Sequence, residues 1–196
     1  CPAITVGIFD TICATTIVLD TPDVTDCSPV ITVTANGDLG AGFGPFTNIG
    51  PGVYDVVFTA MDNCNNQMTC ASTITVVDSL APTVKCKDGV ILVITDPLNP
   101  TVDLVASDLD FGSKDHCSDI TFSFSPNDPT DTLMIFDCND IPFDTVEVYV
   151  TDTTGNQDFC VVEITIQDNG NNCGDDPLWV HLGGSLGTED NEGVED

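Results

Sequence analysis

Ten cysteines, two histidines and 32 acidic residues are the side chains of this 196-residue chain that could do chemistry. No two cysteines are spaced C-x-x-C, and His116 and His181 lie far apart, so the spacing argues against a zinc site. A disulfide framework is the better reading, and it implies an oxidising compartment. His116 stands between Asp115 and Cys117, but no nucleophile motif accompanies it or His181. The chain also has no arginine to steady an anionic transition state, so the residues read as those of a protein that is not an enzyme. The alternating glycines of "GAGFG" (40–44) resemble a phosphate loop, yet no Lys or Ser/Thr follows directly and no helix is expected. That stretch reads as a hairpin.

The aspartates offer a second chemistry. Asp26, Asp62 and Asp78, and further on Asp108, Asp110, Asp115, Asp152 and Asp168, fall at the ends of strand-like runs. Loops at one end of a sandwich converge, and carboxylate oxygens there could hold Ca²⁺. The order D-x-D-x-D-G of a calcium loop is absent. The simpler reading, and the preferred one, is that each Asp closes its turn through hydrogen bonds to nearby backbone. No cofactor is required; Ca²⁺ is the one these residues could take.

A third set is hydroxyls. There is no N-x-S/T sequon, but Asp-Ser/Thr followed by an aliphatic residue or Thr occurs at Thr11, Ser79, Thr132, Thr145 and Thr153. The triplets resemble an O-glycosylation sequon, and that resemblance makes these five hydroxyls candidate O-glycosylation sites.

The elements that must position these groups are strands. "TITVVD", "VEITIQD", "ITVTA", "ITFSF" and "TVEVYV" alternate with period two and are rich in Val, Ile, Thr and Phe. Clusters of Asp, Asn, Gly and Pro separate them, and no segment has helical periodicity. The expected strands are 3–9, 14–19, 29–35, 53–61 and 69–77, then 83–94, 101–106, 119–125, 131–137, 145–152 and 159–167, with 36–52 unassigned. At an offset of 90, Cys27 falls on Cys117, Asp62 on Asp152, Asn66 on Asn156, Gln67 on Gln157, Cys70 on Cys160, Ile74 on Ile164 and Asp78 on Asp168. Matches in the same order at one offset indicate duplication. The expected fold is all-β: two tandem immunoglobulin-like sandwiches, 1–79 and 80–168, joined through "VDSLAPTV". Residues 169–196 read as a linker and a lone strand, "LWVHLGGSL", which either starts a further module or docks on something.

The charge bounds the partners. A formal net charge of -29, with three lysines, argues against nucleic acid and against an anionic membrane surface. No apolar run is long enough for a transmembrane helix. The chain begins at Cys1, which reads as a mature product or a piece of something longer.

"CPAITV", "TPDVTDCSP" and "GVYDVVFTAMDNCNNQMTCASTITVVD" together resemble the hyalin repeat. Residues "LAPTVKCKD" through "DTTGNQDFCVVEITIQDN" resemble the related repeats strung along large secreted proteins of Bacteroidetes-type bacteria. The Asp-Ser/Thr triplets are similar to an O-glycosylation sequon of such proteins. The resemblance covers residues 1–168, with Asn65 standing where the second unit has Gly155 and Cys64 as an extra cysteine. It implies an extracellular, immunoglobulin-like sandwich used in adhesion or as a spacer, without enzyme activity. It also implies that the cysteine opening the last strand pairs with the one on the first strand: Cys1 with Cys70, and Cys86 with Cys160. Each such bridge closes a long loop, worth about 4 kcal/mol in the chain-entropy description. Cys117 and Cys138 then remain in the second unit and are expected to pair with each other, and Cys27 and Cys64, in loops at the same end of the first unit, are expected to pair as well. Cys13 and Cys173 are left free, paired together, or bridged to another chain.

These observations lead to a structural or adhesive protein of the cell surface or of an extracellular filament. Its partners would be neighbouring copies or modules, met in part through the C-terminal tail. The alternative is a module that binds a glycan or a protein receptor, for which exposed aromatics are needed; Trp179, Tyr54 and Tyr149 are candidates, though most aromatics lie on strand-like runs and read as core. A third class is an accessory domain of a secreted hydrolase.

Overall fold

The computed structural model describes residues 1–26 and 31–174. Cys27, Trp179, His181 and the expected tail strand lie outside the described residues.

The first unit is built from β1 (Ile4–Ile8), β2 (Thr15–Ile17), β3 (Ile31–Gly37), β4 (Gly40–Ala41), β5 (Phe46–Ile49), β6 (Gly52–Asp62) and β7 (Gln67–Asp78). One sheet runs β1-β7-β6-β3-β4; β2 and β5 form the facing pair. β1 lies parallel to β7, and the other pairings are antiparallel. The second unit repeats the plan with β8 (Gly89–Val93), β9 (Thr101–Val105), a 3-10 turn (Ala106–Leu109), β10 (Ile120–Ser123), β11 (Leu133–Asp137), β12 (Phe143–Asp152) and β13 (Gln157–Gln167). Its sheets are β10-β12-β13-β8, again with the first strand parallel to the last, and β9-β11. Two sheets packed around one core make each unit an immunoglobulin-like sandwich.

Period two decides what is buried. On β12 and β13 the inward residues are Val146, Val148 and Val150, and Val162, Ile164 and Ile166, all at most 3% exposed. They close on Leu104, Leu109 and Phe136 of the opposite layer. In the first unit Ile74 and Val76 of β7 and Val56 and Phe58 of β6 face Ile8, Ile17 and Leu19. The same parity carries on to the strand ends. Asp78 follows Ile74 and Val76, and Asp152 follows Val148 and Val150, so each occupies the last inward position of its strand. Both are buried, at 4% and 6% exposure.

Two expectations change. The segment 83–94 is not one strand: Thr83 and Cys86 bridge singly to Lys114 and Asp110, and only Gly89–Val93 pairs with β13. The chain changes partner part-way, so no single ladder can run its whole length. Residues 36–52, unassigned from the pattern, supply the short strands β4 and β5.

Candidate functional site

The turn between β12 and β13 is organised by Asp152. Its Oδ1 accepts the N–H groups of Thr154 and Asn156, both at 2.8 Å, and its Oδ2 accepts Asn156 Nδ2 at 2.8 Å. Burial pushes the Asp152 carboxyl up, but the bonds from Asn156 and Thr154 outweigh it and hold the group below its ordinary value. Asp62 does the same between β6 and β7, accepting from Cys64 N and Asn66 N at 2.8 Å and from Asn66 Nδ2 at 2.7 Å. Here Asn66 is the main cause that lowers the carboxyl. Asn65 has φ 66°, in the left-handed region that Gly155 occupies at φ 92°. Asn tolerates that region better than other side chains, which is why it can replace the glycine.

A third turn of the same spacing went unread in the sequence. Asp168 accepts Asn172 N at 2.8 Å, Asn172 Nδ2 at 3.0 Å and Cys173 N at 2.8 Å, and Asn172 reaches back to the Ile94 carbonyl at 2.8 Å. The signal was present: D-x-x-x-N recurs at 62–66, 152–156 and 168–172.

The eight singled-out aspartates therefore divide. Asp62 and Asp168 hold turns of this kind, and Asp110 holds another by accepting Gly112 and Ser113 N–H at 3.2 and 2.7 Å. Asp26 and Asp108 are exposed, and Lys87 Nζ donates to the backbone carbonyl of Asp108. Asp78, Asp115 and Asp152 meet where the two units join. Single ligand atoms of Asp78, Asp115 and Cys117 lie within 4.8 Å of one another. Asp152 neighbours Asp78, whose backbone carbonyl accepts Asn156 Nδ2 at 3.2 Å and Thr154 Oγ1 at 3.4 Å. Asp115 accepts Cys117 and Ser118 N–H at 2.7 and 2.9 Å. Burial is the main cause that pushes the Asp78 carboxyl up; the Leu80 N–H opposes it, and the charges of Asp115 and Asp152 add to the rise.

The junction is also covalent. Cys13 is bridged to Cys117, with Cα atoms 5.1 Å apart across 104 residues of sequence. Cys1 is bridged to Cys70 and Cys86 to Cys160, the pairs that the repeat resemblance implied. The expected pair Cys117–Cys138 is not formed, because Cys138 is bridged to Cys173. Cys117 sits beside the Asp152 end of β12, whereas Cys173 follows β13, whose own end pairs with Phe143 at the start of β12. A strand of that length separates the two ends by about 30 Å, far beyond disulfide reach. Of the expected Cys27–Cys64 pair, Cys27 lies outside the described residues, and Cys64 is an exposed thiol.

Among the hydroxyl candidates, Thr11, Thr132, Thr145 and Thr153 are exposed; Ser79 is half-buried at the junction, where its N–H donates to the Ile8 carbonyl at 2.9 Å. His116 is exposed and its neighbour Cys117 is oxidised, so the two form no thiolate–imidazole pair. Tyr54 packs on the first core and its hydroxyl donates to the Gly50 carbonyl at 2.9 Å. Several aromatics expected in the core stand outside it: Phe159 is 50% and Phe143 64% exposed, and Tyr149 stacks on Phe159 with ring centroids 5.6 Å apart.

No family model and no curated protein matches the chain. Among solved structures it is similar to fibronectin(III)-like modules of Clostridium thermocellum CbhA, at 15% identity and a TM-score of 0.33, over 74% of this chain and 83% of that one. It is similar to immunoglobulin domains 1–4 of Sidekick-1, at 10% identity and a TM-score of 0.49, over 85% of this chain and 47% of that one. It is also similar to Drosophila N-cadherin EC1-4, at 16% identity and a TM-score of 0.36, over 84% of this chain and 48% of that one. These likenesses concern the fold. No helix among the described residues is long and apolar enough to cross a membrane.

Proposed function

We propose that the chain is a non-enzymatic extracellular protein, a rigid disulfide-stapled spacer or subunit of a cell-surface or filamentous assembly with an adhesive role. The observation that carries this reading is the Cys13–Cys117 bridge between the two units. Each unit has its own core and its own staple, so neither needs that bridge to fold. Its effect falls on the freedom of one unit relative to the other, which matters to a protein that transmits position or force. The hyalin-repeat resemblance and the oxidised cysteines support an extracellular setting, and neighbouring copies or modules of the same assembly are its partners.

The test compares small-angle scattering of the oxidised chain with that of Cys13→Ser. The variant should sample a wider spread of inter-unit distances and should be cut faster by protease between Asp78 and Pro82. An unchanged spread and unchanged cleavage would refute the spacer reading.

A ligand-binding module is the second reading, favoured by the stack of the half-buried Tyr149 on the exposed Phe159. A glycan-array signal that disappears in Phe159→Ala would establish it.

A further inference from the structure

Asp78 Oδ2 is buried and has no hydrogen-bond partner, the one such side-chain atom among the described residues. An ionised carboxylate oxygen in that state is costly, because nothing replaces the water it has lost. Its neighbours make the position worse. Asp115 and Asp152 are both acidic; their charges, and the contact of the Asp152 carboxyl with that of Asp78, add to the rise that burial causes at Asp78. Carboxylates of the two units, Asp78 and the half-buried Asp115, thus come together at one point with Asp152 close by.

We propose that the junction binds a divalent cation, Ca²⁺, between Asp78 of the first unit and Asp115 of the second, with the Asp152 carboxylate beside them. The donor set is all oxygen, which selects a hard cation. Cys117 Sγ lies in the cluster, but its disulfide removes the thiolate that zinc would use. A carboxylate has about four lone-pair sites; the turn bonds to Asp115 all fall on its Oδ1 and leave Oδ2 open, whereas Asp152 already accepts four donors and acts on the ion through its charge. Ca²⁺ fits better than Mg²⁺ because it accepts irregular, many-oxygen shells, whereas Mg²⁺ demands near-octahedral geometry and keeps its waters. Asp62 supplies a built-in contrast. It holds the homologous turn of the first unit with the same Asn partner, but it is not in the one cluster of three or more ion-ligating side chains among the described residues. The cation would join the units by a bond separate from the Cys13–Cys117 bridge, so the site does not depend on the spacer role.

The test is calorimetric titration of the full, oxidised, chelator-treated chain with CaCl2 at pH 7.5. About 0.15 M salt screens the diffuse pull of the net charge. One saturable site per chain is expected, with Kd on the order of 10⁻⁴ M, as in extracellular calcium modules. Asp78→Asn and Asp115→Asn should each weaken binding at least roughly tenfold, and Asp62→Asn should leave it unchanged. Without calcium, Asp78→Asn should melt higher than the parent, because an unpaired buried charge is gone; the same melt shows that the variant folds. Should Asp78→Asn fail to fold, Asp115→Asn alone decides. Unchanged binding in the junction variants, or an equal loss in Asp62→Asn, would overturn the proposal. Either result would leave the scattering test of the inter-unit disulfide untouched, so the two readings can fail separately.

Discussion

Asp152→Ala and Asp62→Ala form a matched pair, since both residues hold the same turn in duplicated units. Asp152 is 6% exposed and accepts four bonds, from Thr154 N, Thr154 Oγ1, Asn156 N and Asn156 Nδ2. Hydrogen bonds to a charged acceptor contribute about 1.5–3 kcal/mol each when deleted singly. They are not additive, and the half-open Asn156 side chain can recover water. The expected loss is therefore about 2–4 kcal/mol in the second unit. Asp62 holds an open turn, and its replacement should cost clearly less. Amide exchange read by mass spectrometry locates the effect. Asp152→Ala should speed exchange of the slowest β12 and β13 amides by about 30- to 700-fold, at tenfold per 1.4 kcal/mol. The β6 and β7 amides should be unaffected. Equal acceleration by the two substitutions would refute the argument that the inward register at the strand end, and not the turn alone, gives Asp152 its weight.

Three further outcomes are expected. Ile164→Ala, at a site with 0% exposure, should lower stability by about 2–5 kcal/mol, read as a fall in the urea midpoint of the second unit. In calcium-free buffer the melting temperature should respond to pH in two opposite ways. Asp110, Asp152 and Asp168 sit below their ordinary value of 3.8, so their contribution is present above it and is lost as pH falls through the lowered values. Asp78 sits above 3.8, so its penalty stands at neutral pH and is relieved as pH falls through the raised value. A small rise on acidification should precede the fall, and Asp78→Asn should abolish the rise. Finally, alkylation of the native chain should label Cys64 before reduction, and intact mass should show hexose-like additions that map to Thr11, Thr132, Thr145 or Thr153; a bare mass would discard the glycan expectation.

The strands were legible because each buries one face. Val146, Val148 and Val150 announce β12 by period two, and the parity that places them also places Asp152. The repeated D-x-x-x-N-x-x-x-C element marked the last hairpin of each unit. What local pattern could not carry was contact between units. Nothing around Cys13 or Cys117 says that the two meet, since their proximity depends on how one sandwich is set on the other. The same holds for Asp78. Its local context is that of a strand-ending Asp without the Asn four residues on that Asp168 has, and nothing in it says that Asp115 and Asp152 are brought to it. The exposed Phe143 and Phe159 mislead for the opposite reason: they lie on the outward parity of core strands, and β-propensity alone does not say which face a ring is on.

The staples also fix how far the chain can be drawn out. From Cys1 a covalent route crosses to Cys70, follows 16 residues to Cys86, crosses to Cys160 and follows 13 residues to Cys173. Fully stretched, that route spans only about 110 Å, against about 600 Å for the same stretch with its bridges reduced. Two sandwiches of 10- to 12-residue strands already measure some 35–40 Å apiece along those strands. Complete loss of both cores would therefore lengthen this stretch of an oxidised molecule by only about 30–40 Å, against about 500 Å with its bridges reduced. Pulled between Cys1 and Cys173 it behaves as a short tether and not as a shock absorber, and only a reducing environment would let that stretch pay out its full slack.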